Sequence, residues 1–190
     1  MIYLASKSPR RRQLLEQIGV RFDTVDVDVA EVRRPDEPAR DYVSRVARDK
    51  AGAGLLQLSG VSDALVLGAD TEVVFDDEVF GKPNDGEQAS AMLRRLSGRV
   101  HRVLSAVWCV RGDREDFVLS ESQVRFAELS DAVIVDYVAH GEWQGKAGAY
   151  AIQGRAAAFI EHLDGSYSGV MGLPLFETSR LLRKFALGTG

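Results

Sequence analysis

Four basic side chains crowd the seven residues Ser6-Lys7-Ser8-Pro9-Arg10-Arg11-Arg12. Ser8 is a good N-cap and Pro9 a good first helical residue, so a helix is expected to begin here. The free N–H groups and positive dipole end of that helix, with Lys7 and three arginines alongside, would form a phosphate cradle. A capped helix whose arginines are merely solvated is an equally ordinary reading of the same residues.

A second group lies at Gly68-Ala69-Asp70-Thr71, read as the end of an apolar strand. A carboxylate at the carboxyl end of a strand lies where α/β proteins place their ligands. Asp70 could bind a divalent cation and polarise or deprotonate an attacking water, or it could simply cap a turn. Glu31, Lys82 in Gly81-Lys82-Pro83, and Lys50 are weaker taken singly: a loop acid, a turn lysine and a charge partner near the end of a helical face.

The third is the run Gly145-Lys146-Ala147-Gly148-Ala149-Tyr150-Ala151-Ile152-Gln153-Gly154-Arg155. Small residues at this density let a backbone approach a ligand closely, and Gln153 could read a base edge; a tight loop needed only for packing is the alternative. The stretch from Gly165 to Pro174 carries the same ambiguity. There is no P-loop and no dinucleotide fingerprint. His101, His140 and His162 lack metal-ligand spacing, and no HExxH, CxxC or GxSxG occurs. Trp108 and Trp143 read as packing residues, Trp143 being close enough to the glycine run to touch a ligand.

These residues need elements to hold them. A short strand at 2–5 leads into a helix at about 9–18, whose Leu14, Leu15 and Ile18 share a face before Gly19 stops it. Apolar and acidic residues alternate over 22–29, predicting a half-exposed strand. Pro35 and Pro38 mark a loop, and Tyr42, Val43, Val46 and Ala47 begin a helix running to about Leu58. A buried strand at 64–67 precedes Asp70. Segments 72–75 and 79–80 form a hairpin, and a helix follows at 86–96. Strands are expected at 100–111, 116–127 and 156–163, with helices near 131–140 and 173–186. This mixture predicts an α/β fold built on a mixed sheet.

Composition sets the outer bounds. The chain has 190 residues, 45% hydrophobic and 27% charged, with a net charge of −4. That suits one domain and disfavours a broad nucleic-acid-binding surface, though not a local cationic cleft for a small polyanion. No apolar run approaches the roughly 20 residues that span a bilayer, and no secretory signal is expected. Cys109 lies in an apolar run and reads as a buried structural thiol, which fits a reducing cytoplasm.

Taken together, LASKSPRRRQLL, Glu31, Lys50, GADT, GKP, GKAGAYAIQG and GLPLFET stand in the order and spacing of the Maf family, which the chain resembles over nearly its whole length. The resemblance implies a single domain over residues 1–190, a mixed, curved sheet with flanking helices, and two lobes around a deep cleft, similar to inosine triphosphate pyrophosphatases. It implies cleavage between the α- and β-phosphates of a nucleoside triphosphate, with a divalent cation (Mg, Mn or Co), and a homodimer. It places Asp70 at the general base, which would also hold the metal with Glu31. Ser8, Arg11, Lys50 and Lys82 fall at phosphate-cleft positions, and Arg10, Thr71 and Gln153 at positions separating subfamilies. Members acting on 7-methyl-GTP carry Trp, Gln and Glu at those three positions, so the resemblance here is to the dTTP/UTP type. An amide such as Gln153 can accept from the N3–H of uracil and donate to a neighbouring carbonyl at once, whereas a Glu only accepts. The alternatives are 7-methyl-GTP hydrolysis and a non-catalytic role in regulating septum formation.

Overall fold

In the computed structural model, which describes residues 1–187, a four-residue strand β1 (Ile2–Ala5) delivers the chain into helix α1 (Pro9–Gln17). Ser8 takes the extended N-cap conformation and Pro9 the first helical position, although the Ser8 hydroxyl makes no capping bond. Leu14 and Leu15 bury the helix, and Gly19 leaves it at φ 70°.

The strand expected over 22–29 is reduced to β2 (Asp23–Thr24), which pairs in parallel with Tyr3 and Leu4. The reason is the length of its neighbour. β1 ends at Ala5, so residues after Val25 have no strand to follow. Their alternation still works: Val25 and Val27 are buried, and the extended segment carries Asp28, Val29 and Glu31 along the rim of a cleft.

Helix α2 (Ala39–Gln57) buries Tyr42, Val43, Val46, Ala47, Lys50, Ala51 and Gly54, a stripe at helical spacing. Lys50 is the one charged member of that stripe. It lies within the helix rather than at the end of its face. A lysine on a core-facing stripe must find a carboxylate partner or lose its charge.

β3 (Leu65–Phe75) is a single strand of 11 residues, so Asp70 lies at mid-strand and not at its carboxyl end. One edge is continuously paired with β5 (Val100–Arg111). The other edge is interrupted. Parallel pairing with β1 stops at Gly68, antiparallel pairing with β4 (Glu78–Phe80) starts at Val73, and residues 69–72 have no strand partner there. That gap is where ligand-facing chemistry can enter the sheet.

The remaining elements are α3 (Gly86–Leu96), β6 (Arg114–Phe126), α4 (Asp131–His140), β7 (Ile160–Asp164), α5 (Tyr167–Met171) and α6 (Leu175–Leu187). The strand predicted over 156–163 is divided: residues 155–159 form a tight helical turn, and pairing with β6 begins only at Ile160. Among the described residues the sheet has seven strands, ordered β2-β1-β3-β5-β6-β7 with β4 on β3. β1 pairs in parallel with β2 and β3, and the other pairs are antiparallel, which is the expected mixed α/β sheet.

Helices cover both faces. Val66 and Val74 face α2, while Leu65, Leu67 and Ala69 pack with Leu14 and Leu15 of α1 and Leu181 and Phe185 of α6. Gly68 is required where α2 crosses β3. A Cβ there would lie 2.2 Å from the Ala47 carbonyl oxygen and 2.5 Å from the Ala51 nitrogen. Among the described residues no helix is long and apolar enough to cross a membrane.

Candidate active site

The gap in β3 opens into a cleft with a cavity of about 620 Å³, within the range of small-molecule sites. Basic side chains on its lining (Lys7, Arg10, Arg11, Lys50, Lys82 and Lys146) outnumber the acidic ones (Asp28, Glu31, Asp70 and Glu72). The molecule is acidic overall, yet this cleft is locally cationic and suits a polyanion.

Alternation along β3 sends Asp70 and Glu72 to the α2 face and Thr71 to the opposite one. Asp70 is 4% exposed, and its Oδ1 accepts from Lys50 Nζ at 2.8 Å. The same ammonium lies 2.6 Å from Glu31, whose other oxygen accepts from Lys82 at 2.7 Å. Burial pushes the Glu31 carboxyl up, but the two lysines outweigh it and hold it down to about 2. Asp70, Lys50, Glu31 and Lys82, distant in sequence, thus form one chain of charges. Asp70 Oδ2 is left buried without a hydrogen-bond partner.

The arginines are arranged differently. Arg11 donates from Nε to the Gly172 carbonyl at 2.8 Å, and from its two terminal nitrogens to Ser6 Oγ and Thr71 Oγ1, each at 3.3 Å. Arg10 Nε donates to the Met171 carbonyl at 3.2 Å. Among the described residues neither guanidinium stands within ion-pair distance of a carboxylate. Burial lowers the pKa of both; Arg11 presses Arg10 further down, while Asp70, Glu31 and Glu72 pull Arg11 back up. Two adjacent, partly desolvated cations held only by neutral oxygens form an anion site.

Thr71 is a junction of that site. Ser105 Oγ donates to the Gly169 carbonyl at 2.6 Å, so its single proton is committed there. Thr71 Oγ1, 2.8 Å from Ser105 Oγ, therefore donates to it and accepts from Arg11. The hydroxyl ties Arg11 to β5 and to the turn at 169–172.

Ser8, Arg10, Arg11, Glu31, Lys50, Asp70, Thr71 and Lys82 all line the cleft. Gln153 does not; it is exposed and lies outside that lining. The glycine run reaches the cleft through Gly145, Lys146, Ala147 and Tyr150. Part of it also serves packing, since Gly148 has φ 67° and a Cβ there would meet Val73 Cγ2 at 2.8 Å. Trp143 donates to the Val138 carbonyl and does not line the cleft. Cys109 is fully buried, and burial, then Asp116, raises its thiol pKa, as a structural cysteine requires.

Sequence reasoning passed over Glu72 and Gln144, both on the lining. For Glu72 a signal existed: in the apolar run Leu65–Phe75 it is the second acid, two residues after Asp70 and so on its face. Burial, and then the Asp70 charge, push its carboxyl up to about 8.

Comparison with known proteins agrees with the sequence motifs. The Maf-like protein family matches residues 1–185. A dTTP/UTP pyrophosphatase of Xanthomonas oryzae pv. oryzae is 58% identical over 187 residues, covering 97% of this chain and 98% of its own. A dTTP/UTP pyrophosphatase of Methylococcus capsulatus is 56% identical, covering 99% and 92%. Among solved structures, the Staphylococcus aureus Ham1 protein overlaps 100% of this chain and 99% of its own. Its TM-score is only 0.48 and its identity 12%, a likeness that decides nothing. A match of this extent means that the chain belongs to the Maf-like protein family.

Proposed function

We propose that this protein is a nucleoside triphosphate pyrophosphatase that hydrolyses dTTP and UTP to the monophosphate and pyrophosphate. The observation that carries the reading is the pairing of two uncompensated guanidiniums, Arg10 and Arg11, with a buried carboxylate, Asp70, across one cleft. The names of relatives more than half identical to the chain support the substrate class.

In this reading the triphosphate lies along the cationic lining, with Arg11 and the amide groups at the start of α1 on its phosphates. Asp70 accepts a proton from a water, whose oxygen then forms a bond to the α-phosphorus. The bond from that phosphorus to the α,β-bridging oxygen breaks, and pyrophosphate leaves with the electron pair. Lys50 holds Asp70 in place through Oδ1, and Lys82 and Lys50 keep Glu31 ionised beside it. A buried carboxylate oxygen without a partner suits a hard cation, so Asp70 and Glu31 would hold the divalent ion, which would neutralise phosphate charge and acidify the attacking water. Among the described residues no three acid, His or Cys side chains stand close enough to hold an ion alone. Phosphate oxygens and water would complete the shell, the usual arrangement for Mg²⁺. The cytoplasm is the compartment that supplies this substrate, and a homodimer is the proposed assembly.

The decisive experiment follows product from dTTP, UTP, CTP and 7-methyl-GTP with and without a divalent cation. Pyrophosphate from the first two, abolished by excess chelator, is expected. Orthophosphate as the sole first product defeats the reading, and full turnover in chelator defeats its metal component.

A further inference from the structure

Glu72 is an anomaly that the reaction above does not use. It is 6% exposed, makes no side-chain hydrogen bond or ion pair among the described residues, and leaves Oε2 buried and unpartnered. Its neighbours Val73, Val74 and Phe75 are buried apolar side chains, so an apolar residue would pack at this position without the cost of an unpaired carboxyl. Yet the side chain faces the cleft rather than the core.

Its placement relative to Asp70 gives it a use. Residues two apart on a strand share a face and lie about 6.6 Å apart along it, a separation that a Glu side chain can close. Asp70 Oδ1 is taken by Lys50, so the oxygens left open are Asp70 Oδ2 and both oxygens of Glu72, of which Oε2 is buried. Glu31 is the less available acid, because both of its oxygens already hold lysines.

We propose that Glu72, rather than Glu31, is the second protein ligand of the divalent cation, completing with Asp70 a two-carboxylate site at the gap in β3. This rests on the metal-dependent reading above and deepens it. Two carboxylates from one strand, with substrate phosphate oxygens and waters in the remaining positions, match what a small hard cation takes in phosphoryl chemistry. Both carboxylates are buried on one face of the strand, and each keeps an unpartnered oxygen there.

The test reads metal directly. Mn²⁺ uptake is followed by loss of the free-ion electron paramagnetic resonance signal, with saturating α,β-imido-UTP and without it. Wild type, Asp70→Asn, Glu72→Gln and Glu72→Leu are compared, folding being checked by circular dichroism. Glu72→Gln and Glu72→Leu should each raise the Mn²⁺ dissociation constant in the ternary complex by about 10-fold or more, the scale on which metal affinity answers to its surrounding shell. They should also shrink the Mn²⁺-induced rise in Tm. Uptake within twofold of wild type in both Glu72 variants, with Asp70→Asn impaired, overturns this inference and leaves the metal reading standing. Wild type that takes up no Mn²⁺ beside the analogue overturns both.

Discussion

At the scale of single residues, the cleft separates groups that carry charge for the ligand from groups that hold them. Asp70 is both buried and half-satisfied, with Oδ1 on Lys50 and Oδ2 open. Asp70→Asn keeps the shape, removes the proton acceptor and should lower kcat by roughly 10²–10⁴-fold, with the fold retained. A variant within a few-fold of wild type, with unchanged melting, would move the role of base to Glu31. Gln153 presents the opposite case, because its exposed position outside the cleft lining does not bring it to a base. The chemical argument for it remains, since only an amide both accepts from N3–H and donates to a carbonyl. If substrate binding nevertheless buries Gln153 against the base, mispairing it costs about 1–3 kcal/mol, and Gln153→Glu should lose roughly 5- to 150-fold in kcat/KM on UTP. An unchanged kcat/KM transfers base reading to Gln144, the amide that does line the cleft.

At the scale of elements, the site exists because α2 approaches β3 closely enough for Lys50 to reach Asp70, and Gly68 permits that approach. In Gly68→Ala the new methyl would meet backbone atoms of Ala47 and Ala51, which cannot swing aside as a side chain can. Overpacking of this kind costs about 1–3 kcal/mol, so Tm should fall by roughly 2–12 °C. Activity should fall further than stability alone predicts, because lifting α2 carries Lys50 away from Asp70. Equal melting temperatures would show that the helix slides at no cost. The same contacts explain what the sequence revealed and what it withheld. Periodicity exposed α1, α2, α3 and β6 because each buries one face at its own repeat, whereas β5 shows as an apolar run because it is buried on both faces. It missed the continuity of β3, since Gly68 and Asp70 resemble a turn until β5 is known to pair along them. It overextended β2 because strand length is decided by the neighbour, β1, which leaves the sheet at Ala5. Lys50 looked peripheral because the carboxylates that justify it lie 19 and 20 positions away, on other elements.

At the scale of the whole molecule, the wall behind the cleft rests on an aromatic core that holds a buried histidine. His101 is 2% exposed, lies edge-on to Phe126 and Tyr150, and has Nε2 2.8 Å from the Tyr150 hydroxyl, while Nδ1 is buried without a partner. Burial drives its pKa down to about 4. The unfolded chain takes up a proton near the ordinary value of 6.5, and the folded chain does so only near 4, so the imidazole is neutral in both states above 6.5. As pH falls between those values, only the unfolded state gains the proton and stability is lost; below about 4 the loss levels off. The difference of about 2.5 pKa units corresponds to about 3 kcal/mol. Glu72 acts in the opposite sense, because a carboxyl raised to about 8 withdraws stability as pH climbs from 4.5 toward that value. The comparison is therefore between wild type and His101→Phe at each pH, in which the Glu72 contribution cancels. The variant leaves the Tyr150 hydroxyl unpaired and should be less stable at pH 7.5. Its unfolding free energy should nevertheless drop less than that of wild type between pH 6.5 and 4, so the two curves converge. Curves that stay parallel through that window would mean that His101 is as readily protonated in the fold as outside it. The acid sensitivity would then belong to the carboxylates of the cleft, and Glu31, held down to about 2, would place it below pH 4.5.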